Sequence, residues 1–490
     1  MLTFVAEVAY IALYTAICCW VGQTGLRLLG VNLKGGLWFG TSLLAGITLL
    51  SGELALFSLV GLPFNGLLLY GPWLTWLVIW LALKTRAGIK SGEFFSRFRF
   101  NRETIPRSKS GATWLAAALA VICGIAVFSL LTRQFLTPLV GTDGMAIWFL
   151  KAKAFYLNGH ITMAGVYPDQ SHLDYPVAYP LAINTIYLMG SGYQEQPALA
   201  LPGLFMLACL ALIFGYTRRH LVAWQSWGLC LALISLPAFL TLVNYLEALG
   251  QADFAEGVAF LLFGVFYTLW WEEEKPAYLG GAFLGADLGA NIKNEGLSFL
   301  VLALLAIGLA LVLRPGLRKN LWREKGPALA LAATIAAVGG WKIYTYLFDY
   351  KTDIMADFSF GKFLSNLTQE TPAVLERVWD VIRNDSSYWF LGLMLLFSLI
   401  IAAALRDKIS ITILILTGVI GGQLLAYAIT YLISPFHLVW TLDTTMFRLL
   451  GQLVPLSFFV FCIGVSKTGR WLTVLENKQK TLEPVESYSV

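Results

Sequence analysis

Charge is what this chain has least of. Only 13% of its 490 residues are Asp, Glu, Lys or Arg, against roughly a quarter in a soluble domain. So few charges cannot clothe a water-facing surface. Histidine is scarcer still. The four histidines include no pair in an HxxxH or HExxH spacing, which argues against a zinc enzyme. Cysteine is limited to Cys18, Cys19, Cys123, Cys209, Cys230 and Cys462. Each lies inside an apolar run, so they read as small core residues and not as a disulfide framework or metal site. No GxGxxG or GxxxxGK[ST] fingerprint occupies a strand-to-helix position, which disfavours a nucleotide-linked substrate. No internal repeat is visible, so an inverted-repeat transporter is not indicated.

What the chain has in quantity is long apolar sequence. Hydrophobic residues make up 58%, and mean hydropathy is +0.70. Runs of about 20 apolar residues, each able to cross roughly 30 Å of hydrocarbon as a helix, recur throughout. They predict spans near 4–26, 36–58, 64–84, 112–134, 197–216, 223–243, 257–271, 277–291, 296–313, 327–347, 388–405, 409–432 and 446–466. The fold class expected is all-α: a polytopic transmembrane bundle of about thirteen spans forming a single domain over residues 1–490. A β-barrel would need short alternating segments. Seventeen Trp and twenty Tyr suit two interfacial belts. No basic residue precedes the first run, and Glu7 is the only charge before Arg27, so this run is expected to be a retained span.

Orientation follows from the basic loops. The 85–111 loop carries Arg86, Lys90, Arg97, Arg99, Arg102, Arg107 and Lys109, and is cytoplasmic under the positive-inside rule. Alternate counting brings Arg218/Arg219, Arg314/Arg318, Arg406/Lys408 and Lys467/Arg470 to the same side. Glu272-Glu273-Glu274 dissents. The net charge of +5 is thus a matter of topology, and no nucleic-acid partner is expected. The opposite side receives two long loops, 135–196 and 348–387, which are expected to bear short interfacial helices. Their acids include Asp143, Asp169 and Asp174, then Asp353, Asp357 and Asp380.

Five stretches on that side carry chemistry. Asp143, at the mouth of the fourth span, is either a helix N-cap or a general base toward a hydroxyl. It opens a helix in which Trp148, Ala152 and Phe155 share a face. Lys151 and Lys153 diverge by about 200°, so only one can meet an anion while the other snorkels. His172, Asp174, Tyr175 and Tyr179 lie on a segment that two Tyr-Pro steps should hold extended; it is a sugar-binding surface or a belt loop. Glu247, Asp253 and Glu256 sit where apolar residues would be expected. Asp253 reads as a second acid that orients an acceptor or holds a divalent metal, or as a helix cap. Lys293 either meets a phosphate or pairs with Glu295. His437 and Asp443 precede Arg448, which lies inside an apolar run and needs a fixed anion, either Asp443 or a lipid phosphate.

In their order and sidedness, Thr142-Asp143-Gly-Met-Ala-Ile-Trp148-Phe-Leu-Lys151-Ala-Lys153, Asp174-Tyr-Pro176, Gln251-Ala-Asp253 and Lys293-Asn-Glu295-Gly resemble the GT-C superfamily of membrane glycosyltransferases. Bacterial relatives of protein O-mannosyltransferases come nearest. The resemblance implies a GT-C-like bundle in the bacterial inner (plasma) membrane, active on the periplasmic, extracytoplasmic side. It implies a polyprenyl-phosphate-linked sugar as donor, a hydroxyl acceptor on a glycan, lipid or protein, and inversion at the anomeric carbon. Asp143 matches the catalytic base. Lys293, Arg448 or Lys151 would hold the leaving phosphate, and Trp148, His172, Asp174, Tyr175, Tyr179, Asp253, Glu256, Glu295 and His437 would line the substrate site. Family members place the acidic loop after the first span and carry an Asp-Glu pair; here three spans precede it and Gly144 follows Asp143. No cofactor is implied, and a divalent metal stays open. The alternatives are a transporter or flippase for a lipid-linked sugar, and an oligosaccharide polymerase or ligase centred on Arg448 and His437.

Overall fold

The computed structural model describes residues 2–86, 110–163, 165–166, 171–190, 192–244, 250–321, 324–350, 360–434 and 438–482. Most of the 85–111 basic loop, Asp169, Glu247, Asp353, Asp357 and His437 lie outside them.

Four helices come first: α1 (Leu2–Leu28), α2 (Gly35–Leu59), α3 (Gly66–Arg86) and α4 (Ser110–Leu136). A π-helical turn, Gly144–Phe149, runs into α5 (Leu150–Asn158), followed by α6 (Ala178–Met189). Then come α7 (Leu201–Thr217), α8 (Ala223–Ile234), α9 (Pro237–Asn244), α10 (Asp253–Glu273), α11 (Pro276–Ile292), α12 (Glu295–Leu313) and α13 (Gly326–Leu347). Two amphipathic helices, α14 (Phe360–Gln369) and α15 (Thr371–Asn384), precede α16 (Ser386–Leu405), α17 (Lys408–Ile433), α18 (Leu438–Gln452) and α19 (Val454–Leu482). The described residues contain no strand.

Eleven of these segments are long and apolar enough to cross a membrane, or twelve if α8 and α9, bent by 69° at Ser235-Leu236, form one broken span. The chain is an integral membrane protein of the helical class. The thirteenth expected span corresponds to α11, which at 17 residues is shorter than any of the eleven segments, the one that contains α7 running from Glu195 to Thr217. It nonetheless runs the depth of the bundle. At its start Lys275 bonds Glu273 (2.6 Å), and at its end Lys293 bonds Asp253, the first residue of α10 (3.0 Å). The α10–α11 hairpin is the centre of the molecule. Every residue of α10 from Asp253 to Trp271 is buried, as expected of a helix apolar on all sides with protein around it. By contrast α3, α4, α12, α13 and α16 leave Leu, Ile, Val, Trp and Phe side chains outward, the surface that lipid covers.

The acidic 272–274 stretch finds its counter-ions in neighbouring basic loops. Glu273 pairs with Arg219 and Glu274 with Arg314, while Glu272 lies 3.8 Å from His220. Lys467 pairs with Asp407 in the same region. Its dissent from the basic pattern is therefore local neutralisation.

The 135–196 loop carries helices, and they are packed into the bundle. Trp148, Phe149, Lys151, Ala152 and Phe155 have at most 2% exposure, and α6 packs on α2 and α5. The second Tyr-Pro step is not extended: Tyr179 and Pro180 lie in the first turn of α6, where the missing proline N–H costs no helical bond.

Candidate functional site

The α10 end that holds Asp253 gathers acids and bases from distant stretches. Asp143 occupies the N-cap position of the π turn, but its carboxylate makes no capping bond. It accepts instead from Nη1 of Arg448 at 2.5 Å, 305 positions away. Arg448 Nε also lies 3.7 Å from Asp253. The expected local partner, Asp443, pairs with Arg377 on α15 at 2.6 Å.

Asp253 is the hub. One of its oxygens accepts from Lys293 Nζ at 3.0 Å and from Gln452 Nε2 at 2.8 Å. Gln452 accepts from Tyr427 Oη at 2.5 Å, which brings in α17. Two glycines allow the approach. A Cβ on Gly257 would meet the Gln452 carbonyl at 2.6 Å, and one on Gly296 would meet the Gly289 carbonyl at 2.1 Å. The first lets α18 lie against α10; the second lets α12 fold back on α11. Lys293, between α11 and α12, also pairs with Glu295 at 2.9 Å, so the pairing expected from sequence exists but is half of a larger one. Burial alone would lower the Lys293 pKa, but the Asp253 and Glu295 carboxylates hold it well above the ordinary lysine value. Glu256, one turn along α10, is fully buried, and among the described residues neither of its oxygens has a hydrogen-bond partner.

Aromatic residues form the adjoining wall. Tyr175 stacks on Trp148 (5.7 Å between centroids) and on His172 (4.7 Å), and Tyr179 meets Trp148 edge-on. Lys151 and Lys293 both lie about 6 Å from the Tyr175 ring. Burial, then the negative charge of Glu295, pushes the Tyr175 phenol well above its ordinary pKa. His172 adopts the left-handed region, with φ 45°. Its carbonyl accepts from Lys151 Nζ at 2.6 Å. Lys151 is thus a buried clamp on the backbone and does not present itself to a phosphate. Lys153 turns the other way, over the Tyr193 ring.

Asp174 closes the site from another direction. Its carboxylate accepts from Asn294 Nδ2 and its backbone carbonyl from Trp341 Nε1 (3.0 Å), while Lys342 Nζ donates to Asn294 Oδ1 (3.0 Å). The structure therefore unites Asp143, Asp174, Tyr175, Asp253, Lys293, Glu295 and Arg448. Gln452, Tyr427, Asn294 and Lys342 belong beside them, although nothing in the sequence marks them as site residues except Asn294's place within the Lys293–Glu295 stretch. Exposure separates the two acids that flank Arg448: the Asp143 side chain is 29% accessible and that of Asp253 2%. Among the described residues no group of three or more His, Cys, Asp or Glu is arranged to hold a metal ion. The acids that might have done so are directed at Lys293 and Arg448.

No family model, curated protein or solved structure matches the chain. Its class rests on its own features: an all-helical integral membrane protein with a charged, aromatic-walled site at one end of the bundle.

Proposed function

We propose that this protein is a membrane glycosyltransferase of GT-C type that moves a sugar from a polyprenyl-phosphate donor to a hydroxyl acceptor at the extracytoplasmic end of the bundle. The observation that carries the reading is the Asp143–Arg448–Asp253–Lys293 chain, assembled from four separated stretches around a partly open carboxylate. An acceptor hydroxyl is a weak nucleophile and gains from a fixed base. Arg448 fixes Asp143, and Asp253 with Gln452 fixes Arg448's helix. The acceptor proton passes to Asp143 as the new C–O bond forms. The bond from the anomeric carbon to the donor phosphate breaks, and the electron pair leaves on the phosphate, which needs a nearby cation. In-line attack inverts the sugar. Counting α11 and the α8–α9 pair as spans gives thirteen crossings and puts this end opposite the basic loops.

Membranes containing the protein, supplied with labelled polyprenyl-phosphate sugars, are expected to release lipid phosphate. Asp143→Asn should lower the rate by about 10²–10⁴-fold, the usual worth of a general base, with unchanged yield of folded protein. Turnover near wild type would remove Asp143 from the chemistry. A second reading, transport of a lipid-linked sugar, draws on the charged clusters at both ends of the bundle. Flux of the intact labelled donor across vesicles without cleavage would favour it.

A further inference from the structure

Lys342 sits in the last turns of α13, and its ammonium is met by an amide oxygen, that of Asn294 at 3.0 Å. Among the described residues no carboxylate lies within 4.0 Å of it. The neighbouring cations are differently placed. Lys293 contacts two carboxylates and is 2% exposed; Arg448 lies between Asp143 and Asp253. Lys342 is only half-buried. Its helix packs chiefly on α11 and turns Ile343, Tyr346 and Leu347 outward. Five residues separate it from the end of α13, about 8 Å along the axis, a depth from which a lysine reaches headgroup level.

An ammonium whose hydrogen-bond partner is an amide, with Asp174 the charge that acts on it from beyond that amide, stands at the lipid-facing rim of a site where Asp143, Asp253 and Glu295 are already paired, and is suited to one incoming anion. We propose that Lys342 receives the phosphate of a lipid-linked ligand as it enters from the bilayer past α13. Lys293 then serves as the internal counter-ion of Asp253 and Glu295, and the Lys342–Asn294–Asp174 chain couples the bound phosphate to the 171–177 segment. The inference rests on the lipid-linked donor reading above and adds to it the contact and the direction of entry.

The test uses the full-length protein in phosphatidylcholine nanodiscs, with undecaprenyl phosphate, undecaprenol and phosphatidylglycerol as probes and native mass spectrometry as readout. Wild type should prefer undecaprenyl phosphate over undecaprenol. Lys342→Ala should weaken undecaprenyl phosphate by at least about tenfold, as for loss of a charged hydrogen bond, with undecaprenol unaffected. Lys342→Arg should stay within about threefold of wild type, since it keeps the charge; this variant guards against a fold defect. Unchanged affinity in Lys342→Ala overturns the proposal and leaves the enzyme reading standing. So does an equal loss toward phosphatidylglycerol, which would make Lys342 a general headgroup anchor. A wild-type protein that fails to tell undecaprenyl phosphate from undecaprenol sinks the donor reading itself.

Discussion

Asp253 shows how a carboxylate survives at the head of an apolar helix. An unpaired charge there would cost several kcal/mol, and Lys293, Gln452 and Arg448 offset that cost together. Breaking a buried pair is worse than never having built it. Lys293→Met should therefore cost about 3–5 kcal/mol, read as a fall in the melting midpoint in detergent. Pairing it with Asp253→Leu should recover part of the loss. A double mutant no more stable than the single would mean that the two side chains are not coupled. At this scale charge was the legible signal. Asp143, Asp253, Lys293 and Arg448 stood out because ions in apolar runs need a reason. Their pairing was not legible, since partners up to 305 positions apart leave no mark on local sequence. Gln452 and Tyr427 are ordinary residues for a helix near a membrane interface. Lys342 looks like any lysine near a span end.

Elements carry the site by how closely they approach. The contact of α10 with α18 depends on Gly257 having no side chain. Gly257→Val is expected to push Gln452 and Arg448 away from Asp253, costing about 1–3 kcal/mol in overpacking and most of the proposed transfer activity. Gly308→Ala makes a matched control. A Cβ there meets nothing within 4 Å, so a neutral change or a gain of up to about 1 kcal/mol is expected from helix propensity. Comparable losses from both substitutions would show that glycine matters here for backbone freedom and not for spacing. The helical class of nearly every element was readable from its apolar length. The burial of the 135–196 helices was not legible, because aromatic residues beside a membrane suit a belt and a core equally well; the packing of α6 against α2 and α5 shows it.

At the scale of the whole molecule, charged loops collect at two ends. The Asp143–Lys293 network marks one and the Arg219–Glu273 and Arg314–Glu274 pairs mark the other. All six cysteines are buried, so the native protein should be silent toward a membrane-impermeant thiol reagent. Single cysteines at the exposed positions Glu195 and Lys408 should then label from opposite faces of the membrane. Labelling of both from one face would break the proposed topology, and with it the placement of the site. The span count was legible to within α11 and the bent α8–α9 pair, where chain length and apolar content no longer decide.

The shortness of α11 has a mechanical consequence. Its 17 residues measure about 26 Å against roughly 30 Å of hydrocarbon, while α10 beside it, at 21 residues, is long enough to cross. Lys293 is thus held where the shorter helix of the hairpin stops, and its pairing with Asp253 and Glu295 ties that stop to the heads of α10 and α12.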